Sequence, residues 1–239
     1  MVIVEFFLFT TDSTLALRAE RAGIDSIIVD WEIRGKKLRQ NGQNLEINYD
    51  TPEDLLRISS ILKIAVSVRI NPVGSNTVSE VDNALKYGAR MIMLPMARSV
   101  EEVKSFLSIV DNRVKTIVQI ETPSLIKEIG KFRELDWDYA YIGLNDLMVE
   151  IGTNSIWEAV LNGKVEAICK SLEGKKYGFG GSTVLGGGYP IPNDLILHEL
   201  VHLIKHSHSR IFHDRLSWAC PEYKEHENWL RLNGDKYTL

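Results

Sequence analysis

The amino-acid sequence alternates between short apolar runs rich in β-branched residues and longer stretches with helical periodicity, and no other feature restricts the fold as strongly. Seven apolar runs are predicted to be strands, at residues 3–9, 26–31, 64–70, 91–95, 116–121, 139–144 and 177–181. Amphipathic helices are predicted at residues 13–22, 52–62, 78–87, 100–110, 124–132, 156–172 and 193–204. Near-continuous apolar strands that alternate with helices indicate a parallel sheet covered on both faces.

The spacing of these units favours an α/β fold, a (β/α)₈ TIM barrel in a single domain over residues 1–239. Each unit is about 25 to 35 residues long, as such a barrel requires. The eighth strand is predicted within residues 209–218 and the closing helix at 223–232, so residues 219–239 form a C-terminal helical extension. A doubly wound sheet is disfavoured because it needs a glycine-rich turn after the first strand. Residues 10–13 read TTDS instead, which supplies a helix N-cap.

The charge and the cysteine content exclude several classes of partner. A net charge of -4 at pH 7 gives no general attraction to nucleic acid or to anionic lipid. The two cysteines, Cys169 and Cys220, do not make a disulfide framework, which is typical of a reducing compartment. The apolar first ten residues are too short to span a bilayer. We therefore expect a cytoplasmic protein with neither a nucleic-acid nor a membrane partner.

Charged side chains stand where the predicted strands end. The second strand is followed by Asp30 and Glu32, the third ends at Arg69, and the fifth and sixth are followed by Glu121 and Asp146. Because a barrel carries its chemistry at the carboxyl ends of its strands, these side chains are expected to meet at one mouth. They form either a candidate active site or ordinary salt bridges around a barrel rim.

Glu121 and Asp146 are a sparse set of oxygen ligands, which suits Mg²⁺ or Mn²⁺ because these ions keep water or substrate oxygens in their other positions. A 2-oxo acid can chelate such an ion through its keto oxygen and one carboxylate oxygen, and the ion then stabilises an enolate. Arg69 is expected to share the developing charge. Backbone N–H groups near Gly143 and Asn145, at the start of a helix, are candidates for holding the substrate carboxylate.

At these positions the chain resembles the HpcH/HpaI aldolase and citrate lyase β-subunit family. The shared motifs are VDWE at 29–32, VRINP at 68–72, GARMIMLPM at 88–96, QIETP at 119–123 and IGLNDL at 142–147, within roughly residues 1–190. The resemblance implies a (β/α)₈ barrel, a divalent metal and substrates related to pyruvate, oxaloacetate or acyl-CoA. It implies that Glu121 and Asp146 bind the metal, that Arg69 contacts the oxo-acid oxygen, and that Gln119 lines the pocket.

The sequence departs from this family in the loop after the second strand. The aldolase branch places an acid–base histidine there, whereas residues 32–36 read EIRGK. Both the aldolase and the citrate lyase branch therefore stay open, and proton transfer is assigned to water or to a carboxylate such as Glu32. The resemblance further implies a homo-oligomer, either a trimer or a hexamer.

A second motif indicates a different chemistry. His198, Glu199 and His202 belong to an HELVH sequence, which on a helix places two imidazoles on one face for Zn²⁺, with the glutamate as general base. Residues 198–234 resemble the C-terminal part of the YgjP-like zinc metallopeptidases, in which case His208 would be a third ligand. The same histidines also fit the polar, solvent-facing stripe of an outer barrel helix.

The sequence thus predicts a metal-dependent carbon–carbon lyase or aldolase that acts on a 2-oxo acid, or on a related acyl-CoA, through a metal-stabilised enolate. The predicted site comprises catalytic Arg69 and Glu32, substrate-binding Gln119, Gly143 and Asn145, and metal-binding Glu121 and Asp146. Two alternatives stay open. One is a zinc-dependent hydrolase or peptidase that uses the HELVH segment, and the other is a barrel that binds an oxo acid without turnover.

Overall fold

Seven parallel strands form one sheet in the residues that this computed structural model describes, which are 4–36, 48–153, 156, 158–161 and 163–181. The strands are β1 (Phe7–Phe9), β2 (Ser26–Asp30), β3 (Ala65–Arg69), β4 (Met91–Leu94), β5 (Lys115–Ile120), β6 (Tyr139–Gly143) and β7 (Tyr177–Gly180). Their order in the sheet is their order in the chain, and every neighbouring pair is parallel. The predicted α/β class is therefore confirmed as a seven-stranded half-barrel.

Helices follow the strands as the alternating pattern predicts. They are α1 (Ser13–Ala22), α2 (Pro52–Ile61), α3 (Thr77–Lys86), α4 (Val100–Val110), α5 (Pro123–Lys127), α6 (Ile129–Arg133), α7 (Leu144–Ile151), α8 (Glu158–Leu161) and α9 (Lys164–Ser171). Asp12 caps α1 by accepting a hydrogen bond from the Leu15 backbone N–H at 2.7 Å, so the predicted N-cap after β1 is confirmed. In the described ranges, no helix has the length and apolarity needed to cross a bilayer.

Side chains that alternate along the strands fill the concave side of the sheet. Ile28, Met91, Met93, Ile117 and Tyr139 form a buried cluster there, against which partly buried side chains of β1, β3 and β6 also pack. The residues between them point to the opposite face, because successive side chains of a strand alternate. They are apolar and buried as well, which gives the near-continuous apolar runs of a sheet covered on both faces.

The two ends of the described sheet approach each other at the amino ends of the strands. Glu5, just before β1, accepts a hydrogen bond from the Tyr139 hydroxyl of β6 at 3.0 Å. The other oxygen of Glu5 lies 3.2 Å from the Lys176 ammonium, just before β7. These contacts connect the start of β1, the first strand of the sheet, to β6 and to the start of β7, the last two strands. The sheet is therefore strongly curled, like the wall of a barrel.

Several predicted boundaries differ from the observed ones. The first strand, predicted at 3–9, begins at Phe7. The stretch predicted as a helix at 124–132 consists of α5 and α6, which meet at Glu128. The predicted helix at 156–172 is likewise divided, because Gly163 adopts a left-handed conformation (φ 73°) just before α9. The predicted sixth strand ends one residue early, at Gly143, because Leu144 begins α7.

The chain divides into two compact units, Met1–Ser182 and Thr183–Leu239, and all described residues belong to the first. The predicted eighth strand, the closing helix, the C-terminal extension and the HELVH segment with His208 lie outside the described residues. The prediction of one domain over residues 1–239 therefore stays a prediction.

A candidate active site at the carboxyl ends of the strands

The strand ends bring the predicted site residues to one edge of the sheet. Asp30 ends β2 and Arg69 ends β3, while Glu121 directly follows β5. Asp146 lies in the first turn of α7, directly after β6. The four carboxylates of Asp30, Glu32, Glu121 and Asp146 are all buried, which is unusual for this residue type and calls for paired charges.

Asp30 and Arg69 form a two-point ion pair. The Arg69 Nε–H donates to Asp30 Oδ1 at 2.8 Å, and Nη2–H donates to Oδ2 at 2.7 Å. The guanidinium also lies over the Phe9 ring, 4.8 Å from its centre. Burial opposes ionisation of Asp30, but the positive charges of Arg69 and Lys36 outweigh burial and lower the pKa of Asp30 to about 2. Arg69 is therefore held in one orientation by an ionised partner.

The Arg69 guanidinium also contacts two other residues of the site. Its Nη1–H donates to Gln119 Oε1 at 3.5 Å, and its Nε lies 3.5 Å from Glu32 Oε2. The Glu32 backbone N–H donates to Asp30 Oδ1 at 3.1 Å, which fixes the loop after β2. Predicted residues Glu32, Arg69 and Gln119 are thus in one connected group.

Lys36 is a member of this group that the sequence reasoning did not identify. Its ammonium donates to Asp30 Oδ2 at 2.6 Å, and its side chain is 2% exposed. A lysine in a glycine-containing loop is normally expected in solvent. The only sequence signal for its burial was the nearby acidic pair at Asp30 and Glu32, which needs more positive charge than Arg69 alone supplies.

Glu121 is held between two backbone segments. Its Oε1 accepts a hydrogen bond from the Met96 backbone N–H at 2.8 Å, and Met96 adopts a left-handed conformation (φ 51°) that is costly for a non-glycine residue. Its Oε2 lies directly over Gly143, where a Cβ would overlap it. Gly143 therefore provides the space for the carboxylate, and its position at the start of α7 brings Glu121 to the helix that carries Asp146.

The environment of Glu121 disfavours its negative charge. Burial raises its pKa most, and the charges of Asp146 and Glu32 raise it further, while Arg69 offsets only part of this effect. Among the described residues, four buried carboxylates lie in the site with the cations of Lys36 and Arg69.

The donor set fits a divalent cation. Among the described residues, no group of three or more His, Cys, Asp or Glu side chains is arranged to hold a metal. Mg²⁺, however, is commonly held by one or two carboxylates together with water and substrate oxygens. Glu121 and Asp146 supply such oxygens, and a divalent ion beside Glu121 would offset the surroundings that disfavour its negative charge.

Gly143 and Asn145 begin α7 beside these carboxylates. Gly143 precedes the helix, and Asn145 occupies its first turn. The Asn145 side chain approaches Gly181 after β7, where a Cβ would stand 3.1 Å from Asn145 Oδ1. The predicted contact of Gly143 and Asn145 with substrate stays a prediction, as do the predicted roles of the other site residues.

Comparison with known proteins supports the sequence motifs. The family model for the HpcH/HpaI aldolase/citrate lyase domain matches residues 4–171, which is more than half of the chain. A second model, for the YgjP-like metallopeptidase domain, matches residues 193–233. A comparison with curated protein sequences finds no match.

Two solved structures share the fold. The HpcH/HpaI aldolase from Desulfitobacterium hafniense DCB-2 is 18% identical, with a TM-score of 0.56 over 77% of this chain and 79% of that chain. The citrate synthase SbnG is 15% identical, with a TM-score of 0.56 over 84% of this chain and 91% of that chain. At these identities the likeness concerns the fold alone.

Proposed function

The chain belongs to the HpcH/HpaI aldolase/citrate lyase family, and on that premise we propose that it is a divalent-metal-dependent carbon–carbon lyase or aldolase. Its proposed substrate is a 2-oxo acid of the pyruvate or oxaloacetate type, or a related acyl-CoA. The proposed ion is Mg²⁺ or Mn²⁺, and the proposed assembly is a homo-oligomer, as the family resemblance implies.

One observation carries the proposal: two buried carboxylates, Glu121 and Asp146, repel each other at the mouth of the half-barrel. Burial and this repulsion together raise the pKa of Glu121, and a cation beside the carboxylate would offset both effects. Among the described residues, Lys36 and Arg69 both contact Asp30.

The residues of this chain divide the remaining work. A bound divalent ion would supply Lewis-acid polarisation of the oxo acid. Arg69 is proposed to hydrogen-bond the oxygen on which negative charge develops, since Asp30 holds its guanidinium rigidly and a preorganised donor stabilises such charge most strongly. Gln119 lines the pocket beside it. The backbone N–H groups of Gly143 and Asn145 are proposed to hold the substrate carboxylate.

Glu32 is the proposed proton-transfer group, either directly or through water. Its carboxylate is buried and lies within 3.5 Å of Arg69 Nε. A carboxylate in this position can accept a proton close to the atom where charge develops, which is the geometry that general acid–base catalysis requires.

The experiment follows exchange of the pyruvate methyl protons with solvent deuterium by NMR, with and without Mg²⁺ or Mn²⁺. The unmodified protein is expected to catalyse metal-dependent exchange, and Glu121→Ala is expected to abolish it. Glu101→Ala is the matched control, because Glu101 is exposed on α4. The Glu101→Ala variant should catalyse exchange as fast as the unmodified protein. Full exchange by Glu121→Ala would refute the assignment.

The match of residues 193–233 to the YgjP-like metallopeptidase domain favours a second candidate, a zinc-dependent hydrolase. Its proposed ligands are His198 and His202, with His208 as a third and Glu199 as general base. Metal analysis of the purified protein separates the two proposals. Stoichiometric zinc that is lost in His202→Ala would favour the hydrolase, whereas exchangeable Mg²⁺ or Mn²⁺ that depends on Glu121 would favour the lyase.

A further inference from the structure

Tyr141 lies on the concave side of the sheet, beside the residues already assigned to the site. It occupies the middle of β6, opposite Gln119 of β5 and Gly178 of β7. Its ring packs against the interior cluster of the half-barrel. Tyr141 therefore belongs to the same face of the sheet as Gln119, although the sequence analysis did not select it.

The Tyr141 hydroxyl extends towards the carboxyl ends of the strands. It lies over Gly180, where a Cβ would overlap the hydroxyl oxygen and stand 3.2 Å from the Cζ atom. Gly180 is the register partner of Gly143, the residue that lies under Glu121. The absence of a side chain at Gly180 thus makes room for the hydroxyl at the level of the proposed metal-binding carboxylates.

This hydroxyl has no hydrogen-bond partner among the described residues, unlike that of its neighbour two positions earlier. Tyr139, on the same face of β6, donates to Glu5 at the opposite end of the strand. A hydroxyl at the level of the proposed metal-binding carboxylates is placed to donate to a ligand bound beside them. Burial raises the pKa of Tyr141 to about 12, and the group is therefore a neutral hydrogen-bond donor at neutral pH.

We propose that the Tyr141 hydroxyl donates a hydrogen bond to the 2-oxo acid, on the β7 side of the mouth and opposite Arg69. This inference rests on the proposed function for the nature of the ligand. The carboxylate and keto oxygens of a 2-oxo acid can accept a hydrogen bond from the Tyr141 hydroxyl. A hydrogen bond to a charged acceptor is stronger than one between neutral groups. Tyr141 would then help to select oxo acids that present an oxygen towards β7.

The test measures pyruvate binding by titration calorimetry at saturating Mg²⁺. Tyr141→Phe removes only the hydroxyl and is expected to weaken binding about tenfold or more. Tyr139→Phe is the matched control, because it removes a hydroxyl from the same strand at the far end of the interior. It is expected to bind pyruvate as the unmodified protein does. Thermal unfolding of each variant checks that the fold is retained.

A second variant tests the position of the hydroxyl. Gly180→Ala is expected to weaken binding, because its Cβ would displace the hydroxyl, and to add little further loss when combined with Tyr141→Phe. Equal pyruvate affinity in Tyr141→Phe and the unmodified protein would overturn the inference while leaving the proposed function intact. Absence of pyruvate binding by the unmodified protein would instead refute the proposed function, and the inference with it.

Discussion

Asp30 and Arg69 are register partners on neighbouring parallel strands, and their side chains form a two-point ion pair with distances of 2.8 and 2.7 Å. The strand register itself sets this pairing, because both residues end their strands on the same face of the sheet. The guanidinium is thereby fixed with its third nitrogen directed towards Gln119. Arg69 is preorganised before any substrate arrives.

Replacing Arg69 by lysine should therefore lower activity far more than stability. A lysine keeps the charge but cannot bind Asp30 at two points while it also reaches Gln119. We expect kcat for the metal-dependent exchange of pyruvate protons to fall about 100-fold. Arg113→Lys is the control, because Arg113 pairs with Asp82 on the exposed surface. Comparable activity of Arg69→Lys and Arg113→Lys would contradict this role.

The buried Lys36 should matter for both stability and substrate affinity. Lys36→Met removes a buried cation that contacts Asp30, so stability should fall by about 3 kcal/mol. Arg69 is then neutralised more completely by Asp30, and KM for the oxo acid should rise. Chemical denaturation and steady-state kinetics measure the two effects. Lys104→Met, which alters an exposed pair with Glu101, should change neither, and unaltered KM in Lys36→Met would argue against the coupling.

Gly143→Ala should specifically impair metal binding. The new methyl group would overlap Glu121 Oε2, whereas the backbone conformation of Gly143 (φ -83°) is accessible to alanine. We expect Mg²⁺ affinity to fall by about tenfold or more, as measured by calorimetry. Gly130→Ala is the matched control, because a Cβ there meets nothing within 4 Å. Normal Mg²⁺ affinity in Gly143→Ala would show that Glu121 is not the ligand.

The stability of the metal-free protein should depend on pH through Glu121. The pKa of Glu121 is raised in the folded state above its ordinary value of 4.5. Between these two pKa values, the native state still holds a proton that the unfolded state has released. Stability should consequently fall as pH rises from about 4.5 towards the raised pKa. Thermal unfolding at pH 5 and pH 8 measures this loss, which Glu121→Gln should reduce and Mg²⁺ should reverse. A metal-free protein whose pH dependence is unchanged by Glu121→Gln would contradict the assignment.

Much of the fold was predictable because the strands are apolar on both faces and therefore conspicuous. The start of α7 was harder to predict, because Leu144 and Leu147 continue the apolar composition of β6. The helix also begins directly after the strand, with no turn between them. The charged groups of the site were predictable from their places at strand ends. The contribution of Lys36 was not, because the burial of a long charged side chain depends on how its loop folds over Asp30.

Tyr141 illustrates the same limit within a strand. Its aromatic ring is typical of a buried β-strand residue, and nothing in the sequence distinguishes it from Tyr139. The difference is set by distant partners, since Glu5 lies beside one hydroxyl and Gly180 beside the other. Glu5 and Gly180 are far apart in the chain, and the curling of the sheet brings both of them next to β6.

A divalent ion is proposed to bind at the mouth of the half-barrel, between Glu121 and Asp146. Anomalous diffraction from crystals grown with Mn²⁺ and pyruvate, with data collected above the manganese absorption edge, locates the ion. We predict one strong anomalous peak within coordination distance of both carboxylates. A peak at His198 and His202, with none at Glu121 and Asp146, would contradict it.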